Sequence, residues 1–391
     1  MRTVALLAVP LTAALLIPGP PAVAAPSGVV VVSATEQGIL TSTPGTIVAR
    51  DVGASTRLNG QIRWVFGDTL FTRSSGTPQN PADDWRSATH ATSPLVANPW
   101  RLTDVIDSAT GVPHQLLPYT SEELAYNRAS GDPGDRRAVW PTSIIARDNT
   151  RAQIIYSEMQ IRPENELAYT NLGVGIADFT AGRTAATRSG LLFTGTDFRF
   201  GSSGGLYDSA TTTLYLYDCY NRAAFDYPCR LARVSLRNSA GAIDWNRTKI
   251  KNNYRAAVRA TDGAVSWTAD LTRANEIVQG SATGWSVAWN PGLSKYVAVL
   301  NVPLTSRIEL RTAPAPEGPW SDPLAVLPGQ APTCFPTWLI CADYAVQQHP
   351  ELAVNGSGTS TIYLTYARPM YSAASPFRLD LNVAQVKLAL G

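Results

Sequence analysis

Short runs rich in Val, Ile, Tyr, Trp and Thr alternate along the chain with clusters of Gly, Pro, Asn, Asp and Ser, and helical periodicity is hard to find. That pattern predicts an all-β protein. Five segments share one grammar: an opening strand, a polar or glycine-bearing turn, and an apolar second strand that ends on a polar residue. They run from "TIVARDVGAST" to "QIRWVFGDT", from "VWPTSIIARDNTR" to "AQIIYSEMQ", from "FGSSGGLYDSATT" to "TLYLYDCYN", from "TGWSVAWNPGLS" to "KYVAVLNVP", and from "HPELAVNGSGTS" to "TIYLTYARP". A unit of about 70 residues holds a four-stranded sheet with generous loops. A β-sandwich could take as many strands, but a hairpin recurring five times favours radial repetition. The expected fold is therefore a five-bladed β-propeller in a single domain, residues 25–391.

In such a ring the inner strands flank a central channel, and polar residues at equivalent strand ends converge on one face. The second strands end at Asp68, Glu158, Asp218, Asn301 and Tyr366. The first strands contribute Asp51, Trp140, Ser202 or Ser203, Trp285, and the group His349-Pro350-Glu351. Asp51 and Asp68 belong to one hairpin, with the turn "STRLNGQ" between them, so their side chains can face each other at the channel mouth. Paired carboxylates flanked by aromatics suit glycosidic cleavage, in which one acid protonates the leaving oxygen and a second carboxylate activates water or attacks the sugar. Asp51 and Asp68 are the expected catalytic pair. Glu158, Trp140, Ser203, Trp285, Asn301, His349, Glu351 and Tyr366 are the expected substrate contacts. The structural alternatives are a turn or capping role for each Asp and core packing for Trp140, Trp285 and His349. Asp218, beside a cysteine, reads as a rim residue, and His90 and His114 earn no role.

Composition narrows the partners. Thirty-two Lys and Arg against thirty Asp and Glu give a net charge of +2, which implies neither nucleic acid nor an anionic membrane. The opening residues carry Arg2 as their only charge, then an apolar stretch, then Ala22-Val23-Ala24, a pattern that predicts a secretory signal peptide over 1–24 and an extracellular, monomeric product. Four cysteines fall in two local pairs, Cys219 with Cys229 and Cys334 with Cys341; in an exported chain these suit two short disulfide loops, and neither spacing is a Cys-x-x-Cys metal knuckle. No cofactor is required by any motif, although His349 and the carboxylates could equally hold a structural metal ion in the channel. Asn246-Arg247-Thr248 and Asn355-Gly356-Ser357 fit the glycosylation acceptor pattern. No nucleophile elbow, P-loop, Rossmann fingerprint or His-Glu-x-x-His helix is present, and "GSSGGLYD" reads as a tight turn.

The order "RDVGAS", "WVFGDT", "GPWS" (318–321), "HPEL" (349–352) and "IYLTYARP" resembles secreted actinobacterial five-bladed propellers of the endo-D-arabinanase type, glycoside hydrolase family 183, formerly a domain of unknown function. The likeness covers most of the mature chain, and "GPWS" and "IYLTY" also resemble the broader propeller glycosidases that act on arabinan and xylan. It implies that Asp51 and Asp68 are the catalytic carboxylates, and that the substrate is the D-arabinofuranose chain of a mycobacterial-type cell-wall arabinan, cut internally. Around Asp51 the segment "ARDVGAST" departs from the family form.

Overall fold

The five sequence hairpins all form, each antiparallel. Ala54–Leu58 pairs with Gln61–Val65, Arg136–Ala146 with Arg151–Ile161, Gly205–Asp208 with Thr213–Cys219, Trp285–Asn290 with Lys295–Val302, and Val354–Gly356 with Thr359–Ser372. Each hairpin lies in a different one of five sheets. The structure is a computed structural model that describes residues 28–43, 47–71, 85–130, 135–162, 169–223, 226–281, 284–329, 342–372 and 375–391. The expected signal peptide and the Cys334/Cys341 pair lie outside these residues.

Five core clusters fill the spaces between neighbouring sheets in turn. Val65 and Leu58 of the first sheet meet Ile154 and Phe179 of the second, and Ile155 and Ile176 of the second meet Leu214 and Leu216 of the third. Tyr217 and Leu231 of the third meet Ala298 and Leu300 of the fourth. Val297 and Val299 of the fourth meet Val346 and Leu364 of the last sheet, and Ala367 and Leu381 of the last return to Ile62 and Trp64 of the first. The arrangement is thus a closed, propeller-like ring. It also explains the continuous apolar runs: successive residues of a strand point to opposite faces, and here both faces are covered, so Ile154 and Ile155 serve different cores. Each such side chain contributes about 1.5–3 kcal/mol on burial.

The expectation of a five-bladed propeller needs correction: the described residues form four blades, not five, beside one composite sheet. Three sheets have a regular blade form, with strands that follow one another as neighbours: Arg136–Ala146 to Thr187–Thr194, Gly205–Asp208 to Val265–Thr268, and Trp285–Asn290 to Leu324–Leu327. The first sheet is interrupted: it orders Ala54–Leu58, Gln61–Val65, His90–Pro94, Arg101–Asp104 and, in parallel, Thr41–Thr43. The last is an eight-stranded composite. It takes the N-terminal strand Val29–Ile39 against the C-terminal strand Ser375–Leu390, with Val29 opposite Leu390, and so ties the two ends of the described chain together. It also takes Ile47–Arg50, Asp68–Phe71 and Trp85–Ser87. The physical cause is a kink. Val52 and Gly53 have φ of 68° and 74°, outside the strand region, and break the opening strand of the first hairpin into Ile47–Arg50 and Ala54–Leu58. The first hairpin therefore passes from one sheet into another, and Asp51 and Asp68 sit at that seam.

One α-helix, Ser121–Ser130, is present among the described residues. The sequence pattern does not predict it; at its start Glu123 N–H donates to Thr120 Oγ1 at 3.2 Å while Thr120 N–H donates to Glu123 Oε2 at 2.7 Å, a reciprocal capping box. Cys219 and Cys229 are disulfide-bonded, as expected. Among the described residues no helix is long and apolar enough to cross a membrane.

Candidate active site

The seam fixes two carboxylates against each other. Asp51 follows Arg50, which is buried in an ion pair with Asp104 at 2.8 Å, so the chain is anchored immediately before the site. Gly67 N–H donates to Asp51 O, and Asp68 N–H donates to Asp51 Oδ1, both at 3.1 Å. A Cβ at Gly67 would stand 2.2 Å from Asp51 Oδ1. The glycine of "FGDT" is therefore there to let the Asp51 carboxyl lie flat on the facing strand. Tyr344, from the composite sheet, donates its hydroxyl to Asp51 Oδ2 at 3.2 Å. Val52, a β-branched residue in the left-handed region, adds backbone strain beside the carboxyl.

The two acids differ in their surroundings. Burial, and then the charge of Asp68, push the Asp51 carboxyl up to about 7 against the pull of the Tyr344 and Asp68 donors and of Arg136. Asp68 is buried and gripped by Arg136 through both oxygens, Nη2 to Oδ2 at 2.5 Å and Nη1 to Oδ1 at 3.3 Å. Arg136 opens the first strand of the second sheet. Tyr119 stands close to Asp68, Arg136 and Glu123, and its hydroxyl is pushed up to about 12 by burial.

Beyond Tyr119 lies a second acid pair. Arg188 holds Glu123 in a fork at 2.6 and 2.7 Å and reaches Glu158 Oε2 at 3.4 Å, while Arg137 stands 3.7 Å from Glu158 Oε1. Glu158 is pushed up to about 7 by burial and by the neighbouring Glu123 charge, whereas Arg188 holds Glu123 below the usual range. Two carboxyl groups, one raised and one lowered, thus share one guanidinium.

The remaining expected contacts divide by exposure. Trp140 is half-buried, with its ring 5.7 Å from Tyr169 in an edge-to-face pair, and Tyr169 is 47% exposed. Ser203 is half-buried and accepts from Cys219 N–H at 2.9 Å. Trp285, Asn301 and Tyr366 are buried: Trp285 packs on Tyr217 and Trp320, Asn301 Oδ1 accepts from Val346 N–H at 2.7 Å, and Tyr366 donates to Glu36 at 2.5 Å. These three brace the ring from inside instead of facing a ligand. Asp218 is buried and accepts from Arg199 N–H, Ser202 and Arg230. His90 is a core histidine beside Arg63, held down to about 3 by burial.

His349 is also buried, and burial holds it down to about 3, hence neutral. Its Nε2 meets Thr365 Oγ1 at 2.9 Å, its Nδ1 meets Ser55 Oγ at 2.6 Å, and Ser55 donates on to Glu351. Glu351 is pushed up to about 7 by burial. A carboxyl raised on folding binds its proton more tightly in the native state, so its contribution is full below the unfolded value near 4.5 and is lost as pH rises through about 7. Glu351→Gln should therefore leave stability at pH 4 unchanged and raise it at pH 8 by up to about 3 kcal/mol. Urea denaturation at the two pH values measures this, and an equal change at both would show that Glu351 is already ionised in the fold. Among the described residues no group of three or more His, Cys, Asp or Glu side chains is placed to hold a metal ion.

No protein-family model matches the sequence, and no curated protein matches it. Among solved structures the fold recurs. A candidate hydrolase from Bacteroides ovatus aligns with a TM-score of 0.53 at 15% identity, covering 87% of this chain and 86% of its own. A family 117 glycoside hydrolase from Zobellia galactanivorans aligns at 0.48 and 12% identity over 92% and 91% of the two chains. An exo-beta-1,3-galactanase from Phanerochaete chrysosporium aligns at 0.47 and 14% identity, covering 89% of this chain and 64% of its own. At 15% identity the likeness to the Bacteroides ovatus structure concerns the fold alone.

Proposed function

We propose that the protein is a glycoside hydrolase that cuts arabinofuranosyl linkages within a cell-wall arabinan, with Asp51 and Asp68 as its working pair. The observation that carries this reading is the unequal surroundings of the two acids at the seam: Asp51 is buried and raised to about 7, and the adjoining Asp68, whose N–H it accepts from, is clamped by Arg136. Pairs of acids whose surroundings push them apart in this way perform acid and base roles. Asp51 gives its proton to the glycosidic oxygen as the bond to the anomeric carbon breaks. Asp68 takes a proton from the water that adds to that carbon, and the hydrolysed chain leaves with two new ends. The water route with inversion is taken from the resemblance to five-bladed propeller glycosidases, and the separation of the two carboxyl groups is what distinguishes it from retention. Trp140 and Tyr169 offer aromatic faces for sugar rings beside the acids of the second sheet. The resemblance of "RDVGAS" and "WVFGDT" to endo-D-arabinanases supports the choice of sugar. An extracellular location belongs to the same reading, supported by the leader-like residues 1–24 and the Cys219–Cys229 disulfide.

The test is incubation of the mature protein with D- and L-arabinans, arabinogalactan and xylan, followed by product sizing and NMR of the new reducing ends. Ladders of oligosaccharides from arabinan, with inverted anomeric configuration, are expected. Release of nothing from any of them, with retention on an arabinan column, would make the protein a sugar-binding propeller.

A further inference from the structure

One hydroxyl reaches Asp51 from the opposite side of the seam, and its position is held by a neighbouring sheet. Tyr344 opens the strand Tyr344–Gln348 of the composite sheet. The residue after it, Ala345, has φ of 56°, a left-handed conformation that an alanine keeps only where its surroundings impose it. The surroundings are visible. Val346 N–H donates at 2.7 Å to Asn301 Oδ1, from the strand Lys295–Val302 of the fourth sheet, and Asn301 is completely buried. Gly284 closes over the pair: a Cβ there would stand 2.3 Å from Asn301 Oδ1, 2.7 Å from Val346 N and 3.1 Å from Ala345 N. Asn301 and Gly284 together set the backbone at Ala345 and Val346, and that backbone sets where the Tyr344 ring points.

We propose that Tyr344 is a positioning residue: clamped by Asn301 and Gly284 of the fourth sheet, its hydroxyl orients the Asp51 carboxyl across the seam and sets the pH at which Asp51 gives up its proton. This rests on the assignment of Asp51 as the proton donor. The groups that face Asp51 are Asp68 on the adjoining strand, Arg136 from the second sheet, and Tyr344 from the composite sheet. Asp68 favours the protonated form, whereas Arg136, the Asp68 N–H and the Tyr344 hydroxyl favour the carboxylate. Burial keeps Tyr344 itself neutral, well above the usual tyrosine range, so at working pH it can only donate or accept a hydrogen bond and adds no charge. Its removal takes one donor from the carboxylate and leaves the two charges in place.

The experiment is Tyr344→Phe, read by carbon NMR titration of the side-chain carboxyls, with the Asp51 signal assigned by its loss in Asp51→Asn. The Asp51 midpoint should rise by about 0.5–1 pH unit, the size of one hydrogen bond. The alkaline limb of kcat/KM should move up with it, and kcat should fall about tenfold with little change in KM. Asn301→Ala, which keeps the hydroxyl but loosens the clamp, should move the midpoint in the same direction by less. An unchanged Asp51 midpoint in folded Tyr344→Phe overturns the inference, including the case where only thermal stability drops. If the midpoint moves but the native protein cleaves no polysaccharide, Tyr344 still tunes Asp51 and it is the glycosidase reading that fails.

Discussion

Asp51→Asn should lower turnover on arabinan by about 10²–10⁴-fold while leaving the fold intact. The range is that of a positioned general acid. Asn keeps the shape of the side chain: its Oδ1 can still accept from Asp68 N–H while its Nδ2 donates to the Tyr344 hydroxyl oxygen, so the seam should survive. Stability should not fall at alkaline pH, because the group removed is a buried carboxyl that folding pushes up to about 7. Its native form binds the proton more tightly than the unfolded chain, so its stabilising contribution holds below about 4 and is gone above about 7. The assignment of roles has its own readout. An acid matters less when the leaving group departs without a proton, so Asp51→Asn should lose much less rate on an aryl arabinofuranoside with an acidic phenol than on the polysaccharide. Asp68→Asn should lose comparably on both. The reverse pattern would exchange the two roles, and equal full activity in both variants would remove the pair from catalysis.

Arg136→Met should destabilise the protein by about 3–5 kcal/mol, the cost of leaving a buried carboxylate without its partner. The pair has side-chain exposures of only 16% and 11%, which distinguishes it from the many surface ion pairs that contribute little. The loss is expected to be recovered largely in the double variant Arg136→Met/Asp68→Asn, because the uncompensated charge is then gone. Turnover should be absent in both, since the double variant restores the fold and not the base. Equilibrium unfolding in urea gives the stabilities. A loss under about 1 kcal/mol for Arg136→Met would mean that Asp68 is solvated and that the clamp has the weight of a surface pair.

Much of the site was visible one residue at a time. The glycine and acid of "FGDT" stood out because a charge at the end of an apolar run needs a partner, and Asp51 followed from the hairpin. Arg136 did not, because "DRR" before a strand reads as a solvated end, and only the seam between sheets brings it onto Asp68. Glu123 was not singled out at all, and only the structure shows it as a helix cap and as the neighbour that raises Glu158. Asn301 and Tyr366 were expected in the channel from their place at strand ends. They are buried instead, because strands covered on both faces give no sequence parity that separates channel from core.

The sequence by itself determined the hairpins and their turns, because strand length, turn residues and β-branched runs act over a few residues, but not the number of blades. It also marked the acids, since an unpaired charge in an apolar strand is conspicuous without any neighbour. The tertiary structure decided how the last sheet was assembled from both ends of the described chain, where the first hairpin breaks at Val52 and Gly53, and how far burial raises the Asp51 carboxyl. Those depend on burial and on charges from distant segments, Arg136 and Tyr344 above all, and only closure of the ring brings them to Asp51 and Asp68.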